Sequence, residues 1–451
     1  MQNLHLIEKR NIFMQLATQG ATMKIAFLKK VITPPVGTKT AGYGLDDVSC
    51  CKGDDLYFTL LALNDGKKKV VIASYDLIGI DKSYICRLRS GATAIFGGCE
   101  TDFIMSCTHT HTGPNSRPLA SMPSILEKEY MEELVEKTHN AVKELFQQEF
   151  TEVDVYFFSI HSDQNINRRY IGPENRCSFL PYRRDMEKIA DGICDKEMGG
   201  LYFVNKATGQ PAYVIGNYAA HPLAGHAPGI GGRRLSADFP GVFREYIEKE
   251  TGAGCMFLSG ACGDMVPRGH ELGSTASRIV GEKLAMDTIA AIIHASRNPK
   301  NFKLENETIQ TGIEERLYKL RPRKLGNITP DCTDRVETAL DVQLLSIGDV
   351  CLVGVPGEVL AELGLEIKWH SPFRKTFILY GSTAYFDYIC HGNALVSGGY
   401  EGGCQLIDSR SGLKMVNAAI DGAYKLYEKT FPDVEMWPEN QPSCLVSLVN
   451  K

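Results

Sequence analysis

The side chains able to do chemistry recur at one kind of place. Thr108-His109-Thr110-His111-Thr112-Gly113-Pro114 follows the apolar run Phe103–Cys107. His221 closes the run Ala212–Ala220, Glu358 follows Cys351–Gly357, and Asp76 closes Val70–Tyr75. If these runs are core strands, each residue lies at a carboxyl end, the edge where open α/β sheets bind ligands. Two histidines and a glutamate gathered there would make a catalytic zinc site with three protein ligands and one position for water. Zinc lowers the pKa of such a water to about 7 and polarises a carbonyl. Each residue also has a plainer reading. A His-X-His pair at a strand end turns both rings to one side by the two-residue pleat, with or without a metal. His221 before Pro222 reads as a hydrogen-bonded turn histidine, and Glu358 as a carboxylate at a helix start, where the dipole favours it. His226 and the glycines after it read as a shaped loop.

The elements that must position these residues alternate. Val70–Ile80, Phe103–His109, Val153–Ile160, Ala212–His221, Cys255–Gly260 and Phe377–Ala384 read as strands. Ile125–Gln148, Ala276–Arg297, about Glu358 to Trp369, and Leu413–Lys429 read as helices, and Val342–Pro356 as a hairpin turning at Gly348-Asp349. The alternation predicts an α/β fold with a large mixed, partly parallel sheet flanked by helices, in a single catalytic domain.

Composition agrees with a globular enzyme. The chain has 451 residues, 43% hydrophobic and 23% charged, with 49 Lys+Arg against 54 Asp+Glu and a net charge of -5. This excludes disorder, collagen and coiled coil as the main architecture and argues against a nucleic-acid partner. Lys67-Lys68-Lys69 reads as a turn between strands. No stretch approaches the roughly 18 apolar residues of a membrane-spanning helix. Residues 1–22 lack a long apolar signal segment and read as a tail or an over-long start, with residues 23–451 as the catalytic domain. The 14 cysteines are scattered, with no CxxC, which predicts reduced thiols and a cytoplasmic setting. Export under a different native start is the alternative.

The ordered set of motifs is more specific than any one of them. THTHTGP, then NINR (Asn165–Arg168), NYAAHP (Asn217–Pro222), LSADFPG (Leu235–Gly241), FLSGACGDMVP (Phe257–Pro267), VPGE (Val355–Glu358) and YEG (Tyr400–Gly402) resembles the neutral/alkaline (non-lysosomal) ceramidase family. The opening KVITPPVGTKTAGYG resembles the start of that family's catalytic domain, and the likeness runs from about Met23 to about residue 430. Its ceramidases hydrolyse the N-acyl amide of a sphingoid base with a catalytic zinc. By this resemblance His109, His221 and Glu358 are zinc ligands, joined by Tyr388, twelve residues before the YEG tyrosine. His111 handles the proton or the substrate, Arg168 is the active-site arginine, and Tyr400 with Arg168 stabilises the oxyanion.

Several features depart from the family. Val266 stands where a serine once considered a nucleophile usually lies, so a serine mechanism is not expected. Residues 389–399 lack the usual Glu-Glu-Tyr composition, and the family's C-terminal β-sandwich domain is not expected after Lys429. The chain thus reads as a bacterial-type homologue with the catalytic domain only. The expected activity is zinc-dependent hydrolysis of an N-acyl amide, on ceramide or a smaller soluble substrate. The rivals are a zinc esterase on the same site and a non-catalytic ligand-binding relative. Asp238 and Asp264 are candidates to hydrogen-bond a turn or to orient a ligand histidine. Cys107, Cys262, Trp369 and Trp437 read as packing residues, and Cys390 and His391 as a surface loop, with lining of the pocket beside Tyr388 as the alternative.

Overall fold

The computed structural model describes residues 22–44, 47–117, 126–172, 174–179, 192–297, 304–319 and 331–433. The expected tail, apart from Thr22, and Trp437 lie outside these residues. The main sheet is built from β1 (Met23–Val31), β2 (Tyr57–Asn64), β3 (Lys69–Tyr75), β4 (Phe103–Cys107), β5 (Thr151–His161), β6 (Glu197–Asn205), β7 (Pro211–Tyr218) and β8 (Gly254–Ser259). Their order is β8-β7-β6-β5-β1-β2-β3-β4, with Ser296–Arg297 pairing β5 off this path. β7 with β8 and β3 with β4 are parallel, and the other neighbours antiparallel. A second sheet holds β9 (Leu304–Lys319), β10 (Asp331–Ile347), β11 (Val350–Gly354) and β12 (Lys375–Leu379) in that order, with β11 and β12 parallel. The expected mixed, partly parallel α/β architecture is thus observed, as is the hairpin at Gly348-Asp349, where Ile347 faces Val350.

Strand alternation explains the layering. In β3, Val71, Ala73 and Tyr75 point to one core while Val70 and Ile72 point to another. The first core is covered by α1 (Lys82–Phe96) and α2 (Lys128–Gln147), which bring Ile85, Leu88, Leu134 and Val142 at helical spacing. Asp81 starts α1 by accepting the Ser83 N–H, and Gly97, in the left-handed region, ends it. On the same outer face, α3 (Asp238–Thr251) and α4 (Ser274–Ile293) cover Cys255 and Phe257 of β8. The other face meets the second sheet: Met256 and Leu258 pack with Leu345, Leu352 and Phe377. The far side of that sheet is closed by α5 (Ala361–His370) and α6 (Ser411–Thr430), through Leu363, Ile367, Met415 and Ala419. Each fully buried Leu or Phe in these cores contributes roughly 1.5–3 kcal/mol.

Polar bridges lock the two sheets together at one end. The Asn217 amide donates to the carbonyls of Leu258 in β8 and Ile378 in β12, at 3.0 and 2.8 Å. The Tyr380 N–H donates to Ser259, and the Ser106 hydroxyl to the Tyr380 carbonyl. The carboxyl ends of β4, β7, β11 and β12 therefore converge.

Three expectations fail here. Glu358 does not start a helix: it lies in a two-residue strand, Glu358–Val359, paired in parallel with Tyr388–Ile389, and α5 begins at Ala361. Trp369 is not a packing residue, being 67% exposed at the end of α5. Cys390 is not at the surface but buried with Leu360 and Tyr388, while His391 starts the short helix Gly392–Ser397 and pairs with Glu362. In each case an apolar neighbour distant in sequence, or its absence, decides what local composition cannot.

Candidate metal centre

The three histidines converge on one point. The ring centroids of His109 lie 4.7 Å from His111 and 4.5 Å from His221, and His111 and His221 are 5.5 Å apart. One nitrogen from each lies within 4.8 Å of the others. In every ring, Nδ1 is held by backbone. His109 Nδ1 faces the Ile78 carbonyl at 2.7 Å, His111 Nδ1 that of Gly42 at 3.1 Å, and His221 Nδ1 those of Cys262 and Met265. A carbonyl only accepts, so each Nδ1 carries a proton, and on a neutral ring Nε2 is the atom left to bind a metal in the shared space. Metal-bound histidines are usually fixed in this way.

Glu358 supplies the charge. Its Oε2 lies 3.0 Å from His221 Nε2 and 3.4 Å from His109 Nε2. Burial pushes this carboxyl up, but the adjoining His109 and His221 outweigh it and hold it well below the ordinary value. Burial and the neighbouring imidazoles push His111 well below 6.5. Burial, Arg168 and His109 likewise bring His221 down to about 4. An ionised carboxylate and neutral imidazoles are the forms that bind metal. The donor set, imidazole nitrogens with a buried carboxylate, suits zinc.

The two histidines of THTHTGP meet by a turn rather than by the pleat. β4 stops at Cys107, and His109 has φ 70, a left-handed conformation that swings its ring out of the strand direction. His109 and His221 are fully buried, whereas His111 is partly accessible.

Tyr388 stands beside Glu358 as its partner in the parallel pair, with its ring 6.5 Å from that of His221. Parallel register partners project to the same side, which brings phenol and carboxylate together. Burial raises the Tyr388 phenol well above 10, with Arg168 opposing. Arg168 Nη2 donates to the Tyr388 hydroxyl at 2.9 Å and to the Gly263 carbonyl at 3.0 Å, while its Nε donates to Glu401 at 2.7 Å. The second Glu401 oxygen accepts from Arg169 at 2.6 Å. Tyr400 packs edge-on against Tyr388 at 5.5 Å and is half exposed. All seven residues expected from the sequence thus lie in one region, four of them around one point. Gly263 allows the close crossing, since a Cβ there would lie 2.6 Å from the Glu358 carbonyl oxygen.

Other polar residues act at one remove. Asp76 holds Arg244 through both oxygens and accepts from Tyr57 N–H and the Thr108 hydroxyl, fixing the segment that leads to His109. Asp264 accepts from the Asn167 amide and from Ala361 N–H, joining the residue before Arg168 to the start of α5. Asp238 accepts from Ala224 and Phe239 N–H groups, so it shapes the loop after His221 and does not touch the ring. Val266 is fully buried in a short strand pairing, opposite Ile166.

Sequence reasoning missed Tyr385, Arg117, Asp387 and Glu401. The Tyr385 hydroxyl donates to Glu358 Oε1, and Arg117 covers the Tyr385 ring at 4.2 Å while pairing with Asp387 at 3.1 Å. The glutamate of YEG was the available signal for Glu401. The other three have none outside their neighbours in space.

Asp238 gives a pH prediction. Burial pushes its carboxyl up to about 6. A folded-state pKa above the unfolded value near 3.9 means the folded chain binds the extra proton between about pH 4 and 6. This contribution is full below about pH 4 and is lost as pH rises through about 6, by up to about 3 kcal/mol. In metal-free protein, denaturant midpoints of Asp238→Asn should lose that fall relative to the parent. A parallel pair of pH curves would refute it.

No family model matches the sequence, and a search of curated proteins finds no relative. Solved structures do resemble it. A neutral ceramidase from Pseudomonas aeruginosa superposes with a TM-score of 0.77 at 16% identity, over 91% of this chain and 75% of that one. A second structure, described as ceramidase complexed with C2, gives 0.76 at 16% identity, over 94% and 78%. At this identity the likeness is one of architecture, and the chain carries a ceramidase-like fold.

Proposed function

We propose that this chain is a zinc-dependent amidohydrolase that cleaves an N-acyl amide, of ceramide or of a smaller soluble molecule. The observation that carries the reading is the set of three imidazoles, each tied at Nδ1 to a backbone carbonyl, with the Nε2 atoms of His109 and His221 facing the Glu358 carboxylate and that of His111 3.3 Å from His109 Nε2. The ceramidase-like fold supports the choice of an amide.

In this reading His109, His221, Glu358 and Tyr388 hold the zinc. Bound there, zinc would polarise the scissile carbonyl and make water acidic enough to attack. His111, the accessible imidazole of the three, takes the proton of the attacking water and passes it to the leaving amine. Arg168 donates to the Tyr388 phenol and so fixes it beside Glu358, and its positive charge favours the oxyanion that develops on the carbonyl oxygen. The Tyr400 hydroxyl, on a half-exposed ring at the edge of the site, donates to the same oxygen. Val266 supplies no nucleophile at its position, and in this reading water is the attacking group.

The substrate is a small-molecule or lipid N-acyl compound. Among the described residues no helix is long and apolar enough to cross a membrane. Elemental mass spectrometry of protein purified without added metal should find about one zinc per chain. Matched N-acyl amides and esters assayed side by side should show faster release of acid from the amide. Faster ester cleavage would assign an esterase, and absence of bound zinc even after zinc is offered would sink the hydrolase reading.

A further inference from the structure

The two oxygens of Glu358 are not equivalent. Oε2 faces the Nε2 atoms of His221 and His109, at 3.0 and 3.4 Å. Oε1 accepts the Tyr385 hydroxyl. A phenol donates only one hydrogen, and here it goes to the carboxylate. Left without that partner, a carboxylate can offer both oxygens to one metal ion, as carboxylates often do.

The Tyr385 ring is held from two sides. The Arg117 guanidinium lies over it at 4.2 Å, and Arg117 is itself anchored by Asp387, two residues beyond the ring. On another side lies the backbone of Gly79, where a Cβ would come within 2.3 Å of the ring. Only glycine leaves room there. The same short segment carries the Ile78 carbonyl that holds His109 Nδ1, and the Gly79 carbonyl accepts the Ser116 hydroxyl, next to Arg117. Histidine, tyrosine and arginine are therefore referenced to one piece of backbone. The Tyr380 ring, 4.3 Å from His109, also donates its hydroxyl to Ile78.

We propose that Tyr385, clamped by Arg117 and Gly79, is a positioning residue that restricts Glu358 to one donor oxygen and so keeps a coordination position open for the substrate carbonyl. The inference rests on the zinc-hydrolase reading of the site. Arg117 acts through Tyr385, and Asp387 through Arg117 and through its own contact with Tyr385.

Co²⁺ titrated into the metal-free protein provides a probe of coordination that needs no turnover, because absorption per cobalt falls as coordination number rises. Tyr385→Phe removes one oxygen and keeps the ring. It should bind Co²⁺ at least as tightly as the parent, absorb less per cobalt, and hydrolyse amide roughly 10- to 100-fold more slowly in kcat, as loss of a ligand's supporting hydrogen bond commonly does. Arg117→Met keeps the hydroxyl but frees the ring, and should move absorption and kcat in the same direction by less. Thermal melts of both metal-free variants show whether they are folded, and the Arg117 variant decides if the Tyr385 variant is not. Parent-like absorption and turnover in the folded variants would overturn the proposal. So would a weaker Co²⁺ affinity, which would mean that Tyr385 helps to hold the ion. Failure of the parent itself to bind Co²⁺ would instead overturn the metal site, and this proposal with it.

Discussion

Glu358→Gln is expected to abolish metal retention and nearly all amide hydrolysis while leaving the fold in place. The substitution removes the one negative charge among the donors facing the shared point, where Oε2 sits 3.0 Å from His221. Losing a partner that merely supports a ligand costs roughly 10- to 100-fold in affinity or activity, so losing the ligand charge should exceed that range. The fold should tolerate the change. The glutamine oxygen can accept from Tyr385, and its amide can donate to Nε2 of His221 when that ring is neutral with its proton on Nδ1. Metal content, turnover and a melt of the metal-free protein test the three parts together. A variant that keeps zinc and full activity would remove Glu358 from the site.

Glu401→Ala should lower the melting temperature on the order of 10 °C and slow turnover with it. Glu401 is fully buried and bridges Arg168 and Arg169, both nearly buried themselves. Burial pushes its carboxyl up, but Arg168 and Arg169 outweigh this and hold it below the ordinary value. Removing one member of such a group strands buried charge and costs about 3–5 kcal/mol. In domains of 150–250 residues, about 1 kcal/mol moves the melting point by about 2–4 °C. Arg168 would also lose the anchor at Nε that aims its Nη2 at Tyr388, and Arg169 would loosen its hold on the Ala394 and Gly398 carbonyls before Tyr400. Glu401→Gln, which keeps one acceptor, should fall between. Equal melting of parent and alanine variant would show that the arginines find other partners.

What could be read from the sequence follows from what is local. Apolar runs followed by a histidine marked β4 and β7, because buried strands with a parallel neighbour are largely apolar on both faces and the first titratable side chain after the run falls at the sheet edge. The turn at Gly348-Asp349 was legible for the same reason. Glu358 was recognised as a ligand candidate but misplaced at a helix start, because a two-residue strand has no periodicity to read and exists only through its pairing with Tyr388–Ile389. Tyr385 and Arg117 could not be read at all, being separated in sequence and joined only by a ring stacked on a guanidinium. β1 and β2 passed unassigned although they pair over Lys24–Val31, since an antiparallel partner leaves no mark on either strand alone.

The convergence of strand ends from two sheets also bears on the order of events as the chain folds. The four proposed ligands are contributed at positions 109, 221, 358 and 388, and the bridges from Asn217 to Ile378 and from Ser106 to Tyr380 form only when β7 and β4 meet β12. Such long-range contacts are slow to assemble, because the closure entropy of the intervening chain comes before any reward. The first half of the protein, emerging alone from a ribosome, can present His109, His111 and His221 but neither Glu358 nor Tyr388. In the proposed reading, firm capture of an ion would wait on the final docking of the two sheets, and occupancy of the centre would report that the chain has been made at least through Tyr388 and has folded.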